Sequence, residues 1–137
     1  MRFLDIECGV DVIRIQRIRD AFDRFGDAFL CRIFTPQEVV DCEKRGVGRI
    51  SSLAVRFAAK EAVSKALGTG IGREGVIFRD IEVVSDDRGN PSIRLHNLTE
   101  SFFLKRSGET ISISLSHDGD MAVAFCVMKF KEDGHAL

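Results

Sequence analysis

The spacing of hydrophobic residues changes from that of a strand to that of a helix and back along this 137-residue chain, which limits the possible folds. In "LDIECGVDV" the apolar residues alternate, which predicts a strand with one buried face and places Asp11 on the other face. The alternating residues are Leu4, Ile6, Cys8, Val10 and Val12. In "IRIQRIRDAFDRFG" the spacing becomes helical up to Gly26, so a first helix follows the strand.

The same signals predict three more helices and four more strands. "TPQEVVDCEKRG" begins with Thr35 as N-cap, Pro36 in the first turn and Glu38 completing a capping box. The alanine-rich segment "RFAAKEAVSKALGTGIG" predicts a helix that ends at Gly68. "GVIFRDIEVVSDDRGNPSIRLH" and "TISISLSHDGDMAVAFCVM" each predict a hairpin, and a short helix, "NLTESFFLKRSG", lies between them.

The resulting order of elements, β-α-α-α-β-β-α-β-β, predicts an α+β fold with a mainly antiparallel sheet packed by helices. We expect a single domain over residues 1–137, because a chain of this length can bury one core of its own. No internal repeat or linker divides the sequence.

Cysteine usage and apolar runs indicate the cellular compartment. The four cysteines are far apart, form no C-x-x-C pair and lie in apolar segments, so we expect reduced core residues. They are Cys8, Cys31, Cys42 and Cys126. The longest apolar run, residues 121–128, is far shorter than the roughly 20 residues of a membrane helix. Charged residues within "MRFLDIECGV" argue against a signal peptide, so we expect a cytoplasmic protein that enters no membrane.

Charge is distributed unevenly, although the net charge is only −1. Residues 12–65 carry more basic than acidic side chains, whereas residues 66–137 carry more acidic ones. The basic part suits an acidic partner. A nucleic-acid-binding domain is disfavoured, because the net charge is slightly negative and the sequence indicates no exposed aromatic clusters.

A cluster of charged residues on the alanine-rich helix has two interpretations. Lys60, Glu61, Ser64 and Lys65 fall on its polar half, and the spacing of Glu61 and Lys65 favours an ion pair in solvent, with Arg56 one turn before Lys60. Alternatively they bind a phosphate-containing ligand, since the glycines of "LGTGIG" would let free backbone N–H groups approach a phosphate closely. A helix C-cap at Gly68 is the simpler explanation of that loop.

Asp11 and His117 are the other candidates for chemistry. A carboxylate within an apolar strand is costly to bury unpaired, so Asp11 either faces solvent or has a function. If the strand lies beside the helix, Asp11 and Glu61 together suit Mg²⁺, which takes one or two carboxylates plus phosphate oxygens. His117 ends a strand, where it is either a polar turn residue or a contact to a phosphate or hydroxyl group.

Three segments occur in a distinctive order: "GVDV" near the start, "RFAAKEAVSKALGTGIG" in the middle and "SLSHDGDMAVAF" near the end. Together with "RIFTPQE" and "FRDIEV", they resemble the holo-[acyl-carrier-protein] synthases, the short bacterial class of 4′-phosphopantetheinyl transferases. The resemblance covers nearly the whole chain. It implies Mg²⁺-dependent transfer of the phosphopantetheine arm of coenzyme A to a serine of apo acyl carrier protein, which releases adenosine 3′,5′-bisphosphate and supports fatty acid biosynthesis.

The resemblance also implies roles for individual residues. Asp11 and Glu61 would hold Mg²⁺ against the pyrophosphate and Lys65 would steady the phosphates, which makes these three the candidate catalytic residues. The candidate coenzyme A contacts are Arg56, Lys60, Gly68, Thr69, Gly70 and His117. The candidate carrier-protein contacts are Arg17, Arg14 and Arg24. Either Glu61 itself or a water held by the metal or the carboxylates would take the serine proton.

The family is typically a homotrimer with each site built between neighbouring subunits, and the resemblance implies the same here. One turn departs from the family pattern, because "HDGD" places Asp118 and Asp120 after His117, where many relatives are less acidic. The alternative function is a non-catalytic module that binds a carrier protein or a nucleotide. An intact pair of carboxylates, Asp11 and Glu61, argues against that alternative.

Overall fold

A computed structural model describes residues 5–131, which form five strands, five α-helices and two short 3₁₀ helices. The strands are β1 (Ile6–Arg14), β2 (Ile81–Ser85), β3 (Pro91–Leu95), β4 (Gly108–Asp118) and β5 (Met121–Phe130). The helices are α1 (Ile15–Phe25), α2 (Asp27–Ile33), α3 (Pro36–Glu43), α4 (Arg49–Leu67) and α5 (Asn97–Lys105). The 3₁₀ helices span Gly46–Gly48 and Phe78–Asp80.

The strand pairs within residues 5–131 are all antiparallel, which confirms the predicted α+β class. β5 lies between β1 and β4 in one sheet, and β2 pairs with β3 in a separate hairpin. The predicted order is wrong by one helix, because α2 follows Gly26 immediately. Gly26 has a φ of 56° and ends α1, while its carbonyl oxygen accepts hydrogen bonds from the first turn of α2.

The long helix α4 lies against β1 and β5 and forms the centre of the core. Most of its residues are buried, and many are alanines that allow the strands to approach closely. None of the helices within residues 5–131 is both long enough and apolar enough to cross a membrane.

β1 buries the opposite face from the one that its sequence predicts. Gly9 faces α4, and Asp11 lies on the same side of the strand. The alternating apolar side chains face away from α4, and those of Ile6, Val10 and Val12 are 57%, 50% and 55% exposed. The predicted alternation is correct, but the prediction of which face is buried is wrong, because close contact with α4 requires a small residue.

The cysteines are free thiols, as predicted, but two of them are not core residues. Cys42 and Cys126 are buried, whereas Cys8 lies on the exposed face of β1 and Cys31 is exposed on α2. Burial raises the pKa of the Cys126 thiol to about 12, so this thiol is inert at neutral pH. Leu4, the first residue of the predicted strand, lies outside the described residues.

Candidate active site

β1 crosses α4 at Gly9 so closely that a side chain there has no room. A Cβ atom on Gly9 would lie 2.1 Å from the carbonyl oxygen of Ala62 and 2.9 Å from the backbone nitrogen of Ala66. Only glycine allows this approach without a backbone shift. The contact brings the following residues of β1, up to Asp11, alongside the C-terminal half of α4.

Lys65 joins the strand to the helix. Its Nζ atom donates to the carbonyl oxygen of Val10 at 2.9 Å and to Oδ1 of Asp11 at 3.1 Å. The side chain of Asp11 is 18% exposed and that of Lys65 is 50% exposed. The ammonium group is therefore held beside the carboxylate and still reaches solvent, which leaves it open to a bound phosphate.

Glu61 lies one helical turn before Lys65 and belongs to the same group. Burial raises the pKa of Glu61 and the negative charge of Asp11 raises it further, whereas Lys65 and Arg17 act to lower it. The carboxylates of Asp11 and Glu61 are therefore close enough to repel each other. The structure thus brings together Asp11, Glu61 and Lys65, which we call the carboxylate cluster, with Arg17 of α1 nearby.

Two carboxylates that repel each other near the protein surface fit a hard divalent cation. Mg²⁺ binds through one or two carboxylates and takes its other ligands from water and substrate phosphates. Within residues 5–131, no group of three or more His, Cys, Asp or Glu side chains is arranged to hold a metal ion. Because it offers two carboxylates with an ammonium group beside one of them, the carboxylate cluster fits a cation that is shared with a phosphate ligand.

The raised pKa of Glu61 predicts that Glu61→Gln changes how stability depends on pH when divalent cations are absent. A carboxyl group whose pKa is raised on folding stabilises the protein below its ordinary pKa of 4.5. That contribution is lost as the pH rises through the raised pKa. We therefore expect the free energy of unfolding of Glu61→Gln, measured by urea denaturation in EDTA, to increase relative to wild type from acidic to neutral pH. A difference that is independent of pH would contradict this prediction.

A second group of residues lines a groove of about 480 Å³, which we call the arginine groove. Arg56 of α4 and His117 at the end of β4 both line it, so two predicted site residues lie together here. Its other polar and hairpin residues are Arg45, Ser51, Ser52, Ser85, Gly89 and Pro91. Two arginines between partly apolar walls suit an anionic ligand that carries a flat ring.

Arg56 is fixed within this groove by the preceding turn of its own helix. It is only 4% exposed, and its Nη1 atom donates to the carbonyl oxygen of Ser52 at 3.3 Å and to the Ser52 hydroxyl oxygen. Its Nε atom is buried and has no hydrogen-bond partner among the described residues. Because Arg56 lines the groove and forms no ion pair with any residue in the described range 5–131, its positive charge is suited to an anionic ligand.

The carboxylate cluster and the arginine groove lie on different sides of α4. Arg56 and Lys65 are nine positions apart, which at about 100° per residue puts them on opposite sides of the helix. Asp11, Glu61 and Lys65 are not among the lining residues of the arginine groove. The carboxylate cluster and the arginine groove are therefore separate surfaces within one chain.

Lys60 is a core residue, and its side chain does not line the arginine groove. Its side chain is fully buried, and Nζ lies 2.8 Å from Oε1 of Glu38, which is also fully buried. Nζ also donates to the carbonyl oxygens of Phe78 at 3.0 Å and Ile81 at 2.5 Å. All three N–H donors of the ammonium group are therefore used. Helical spacing placed Lys60 on a polar face, but α3 and the start of β2 cover that face.

The glycine loop after α4 caps the helix. The N–H group of Gly68 donates to the carbonyl oxygen of Lys65 at 3.0 Å, and those of Thr69 and Gly70 donate to that of Ser64 at 3.3 and 3.1 Å. These N–H groups are therefore used to cap the helix, whereas the predicted phosphate contacts of Gly68, Thr69 and Gly70 stay a prediction. This capping stabilises the helix end, because the last carbonyl groups of a helix otherwise lack hydrogen-bond partners.

The predicted carrier-protein contacts lie on or next to α1. Arg14, Arg17 and Arg24 are all exposed. The guanidinium carbon of Arg24 lies 5.2 Å from the ring centre of Phe25, which is itself 57% exposed. Together they form an exposed basic surface with an apolar side chain at one end, which we call the α1 surface.

The sequence analysis did not identify Arg45, Ser52 or Pro91 as site residues. They come from the loop after α3, from α4 and from β3, and no spacing in the sequence connects all three. The one available signal is the spacing of Ser52 and Arg56, which are four residues apart on α4 and therefore on the same face.

Comparison with known proteins gives the family of this chain. A family model described as the 4′-phosphopantetheinyl transferase superfamily matches residues 7–126. The holo-[acyl-carrier-protein] synthase of Chlorobaculum tepidum is 46% identical over 124 residues, which cover 90% of this chain and 98% of that protein.

Solved structures agree with this result. The crystal structure of holo-[acyl-carrier-protein] synthase from Neisseria meningitidis has a TM-score of 0.82 and 36% identity, and the match covers 90% of this chain and 97% of that one. The Helicobacter pylori synthase, crystallised in complex with coenzyme A, has a TM-score of 0.77 and 36% identity. The match covers 89% of this chain and 99% of that one. This chain therefore belongs to the holo-[acyl-carrier-protein] synthase family of 4′-phosphopantetheinyl transferases.

Proposed function

We propose that this chain transfers the 4′-phosphopantetheine group of coenzyme A to a serine of apo acyl carrier protein, giving holo carrier and adenosine 3′,5′-bisphosphate. The observation that carries the proposal is the carboxylate cluster, where Lys65 Nζ lies 3.1 Å from Asp11 and the pKa of Glu61 is raised. Phosphoryl-type transfer depends on positioning and charge neutralisation, and this cluster offers both. The names of the relatives support the same reaction.

Asp11 and Glu61 would hold Mg²⁺, which when bound neutralises charge on the pyrophosphate and the leaving group. Lys65 keeps the Asp11 carboxylate in place and adds positive charge beside the phosphates. The serine proton passes either to Glu61 or to a water held by the metal or the carboxylates.

The arginine groove would hold the nucleotide half of coenzyme A. Arg45 and Arg56 supply positive charge for phosphates, and His117 adds a further polar contact. The apolar walls and Pro91 offer a surface for the adenine ring. A volume of about 480 Å³ lies within the usual range of small-molecule sites.

The α1 surface would receive the acidic carrier protein. Arg17 is the central contact, because it lies close enough to Glu61 to affect its pKa and so connects carrier binding to the carboxylate cluster. Arg14 and Arg24 extend the positive surface on either side. Exposed charges of one sign attract an acidic protein over about one Debye length and raise its association rate.

The active protein would be a homotrimer, with each site formed by the carboxylate cluster of one subunit and the arginine groove of its neighbour. Two observations support this proposal: the carboxylate cluster and the arginine groove are separate in one chain, and the part of the outer sheet face that β1 and β5 form is apolar and partly exposed. On that face Val10 pairs with Phe125 and Val12 with Val123, and Val10, Val12 and Phe125 are 44–55% exposed. Exposed apolar patches of this kind mark protein interfaces.

The proposed cellular setting is fatty acid biosynthesis in the cytoplasm. Free thiols at Cys8 and Cys31, both exposed, are consistent with a reducing compartment. We also propose that residues 1–137 act as one 4′-phosphopantetheinyl transferase domain, because the family match extends over residues 7–126.

Intact-mass spectrometry of an apo acyl carrier protein tests the reaction directly. The carrier is incubated with this protein, coenzyme A and Mg²⁺, and a parallel sample contains EDTA. We expect a mass gain of one phosphopantetheine group that EDTA prevents. Binding of coenzyme A without any mass gain on several apo carriers would favour the non-catalytic module instead.

Subunit complementation tests the shared site. Arg56→Ala and Glu61→Gln should each be nearly inactive, because each removes one half of every site. Co-refolding the two variants in equal amounts should restore about a quarter of the wild-type activity, since random mixing leaves that share of sites with both halves intact. Refolding each variant alone is the control. Co-refolded protein that stays inactive, although it contains mixed oligomers by mass, would place both halves within one chain.

A further inference from the structure

A backbone hydrogen bond joins the turn between β4 and β5 to the start of α1. The N–H group of Ile15, the first residue of α1, donates to the carbonyl oxygen of Asp120 at 2.7 Å. This bond uses only backbone atoms, so it does not depend on the side chain at position 120. The turn therefore stays at the edge of the α1 surface whichever residue follows Gly119.

The side chain of Asp120 pairs with an arginine of that surface. Its Oδ2 atom lies 3.3 Å from Nη1 of Arg14, and both side chains are 68% exposed. Asp118 in the same turn is exposed too, but it forms no ion pair with any residue in the described range 5–131. The acidic turn thus places one carboxylate on Arg14 and carries a second, exposed carboxylate two residues earlier in the chain.

We propose that Asp120 lowers the affinity of this enzyme for its carrier protein by competing with carrier carboxylates for Arg14. The proposal rests on the proposed function, because it takes an acidic carrier protein as the partner of the α1 surface. Only a carrier with an acidic group that displaces Asp120 gains the full contribution of Arg14. Asp120 therefore helps to decide which carriers are modified efficiently.

Two electrostatic effects of Asp120 both weaken the binding of an acidic carrier protein. Its pairing with Arg14 must be broken or shared before a carrier carboxylate binds there. Its own negative charge also repels an acidic carrier, over a distance of about 8–10 Å at moderate salt. The pairing itself is weak, because both groups remain largely in water, so a carrier carboxylate can displace it.

A third effect of Asp120 would strengthen carrier binding, because Asp120 restricts the Arg14 side chain and so orients it. This effect is small here, since a side chain that is 68% exposed remains mobile even when paired. Removing the charge of Asp120 is therefore expected to strengthen carrier binding. If orientation were the larger effect, removal would weaken binding instead.

Titration of apo acyl carrier protein into the full-length enzyme, followed by calorimetry at low and high salt, tests the proposal. We expect Asp120→Asn to bind the carrier about two- to fivefold more tightly than wild type at low salt, and the gain to shrink at high salt. Asp118→Asn is the matched control, because it removes the same charge from the same turn without freeing Arg14. Its effect on binding should be smaller than that of Asp120→Asn.

The Arg14→Met background distinguishes competition for Arg14 from general repulsion. Adding Asp120→Asn to Arg14→Met should change the affinity no more than Asp118→Asn does alone. An equal gain with and without Arg14, or weaker binding by Asp120→Asn, would overturn the proposal. Coenzyme A binding, measured in the same variants, should stay at the wild-type level. Wild-type protein that transfers no phosphopantetheine and binds no apo carrier would overturn the proposed function as well, whereas unchanged binding by Asp120→Asn overturns this inference alone.

Discussion

Glu61→Gln is expected to reduce phosphopantetheine transfer by at least about a hundredfold while the protein stays folded. Glutamine keeps the shape of glutamate, so the packing of α4 against β1 is preserved and only the negative charge is lost. Asp11 would then have to hold Mg²⁺ alone, with the ammonium group of Lys65 at 3.1 Å from its carboxylate. The initial rate of holo carrier formation, at saturating coenzyme A and Mg²⁺, measures the loss.

Glu100→Gln is a matched control for this variant. Glu100 is an exposed residue of α5, so the same chemical change there should leave the transfer rate within about twofold of wild type. Circular dichroism and urea unfolding establish that Glu61→Gln is folded when its rate is measured. A folded Glu61→Gln protein with nearly wild-type turnover would remove Glu61 from the mechanism.

The second large effect is expected on stability. Lys60→Met should lower the free energy of unfolding by about 3–5 kcal/mol, because it leaves the buried carboxylate of Glu38 without its partner. It also removes the donor to the carbonyl oxygens of Phe78 and Ile81. Glu38 keeps its hydrogen bond from the N–H group of Val83 at 2.9 Å, so part of the network remains. Urea denaturation measures the change.

Lys105→Met serves as the control, since Lys105 is exposed in the last turn of α5 and its loss should cost no more than about 0.5 kcal/mol. Combining Lys60→Met with Glu38→Gln should destabilise less than the sum of the two single changes, because the two residues share one network. The Michaelis constant for coenzyme A, measured at low temperature where Lys60→Met is folded, should match wild type. If Lys60→Met lost coenzyme A binding but no stability, that result would contradict the assignment of Lys60 to the core and would support its predicted contact with coenzyme A.

Local sequence signals predicted several elements accurately. The capping box of α3 is present. The side chain of Glu38 accepts a hydrogen bond from the backbone N–H group of Thr35 at 2.9 Å, and the backbone N–H group of Glu38 donates to the Thr35 hydroxyl oxygen at 3.2 Å. α4 ends at Leu67, and Gly68, which has a φ of 87°, is its C-cap as predicted. Pro91 opens the second strand of the β2–β3 hairpin, as predicted. These features depend on backbone geometry and on contacts between residues close in the sequence, which a local pattern contains.

Predictions that needed distant contacts were less successful. α2 was missed because Gly26 signals the end of a helix, and nothing in the sequence near it shows that a second helix begins there. Lys60 was placed with Arg56 and Lys65, although only the packing of α3 and β2 over α4 decides that its ammonium group is buried. The arginine groove was only partly predicted, because its lining comes from elements that are far apart in the chain.

The sequence by itself determined the class of every main element except α2, the antiparallel hairpins and the residues of the carboxylate cluster. The periods of two and 3.6 residues fix which side chains share a face of a strand or helix. They do not fix which face meets the core, since burial depends on what packs against it. Tertiary structure alone therefore decided that Gly9 and Asp11 face α4 while Val10 and Val12 face outward. It also placed Arg56 in the arginine groove and Lys65 in the carboxylate cluster, because opposite sides of one helix contact different neighbours.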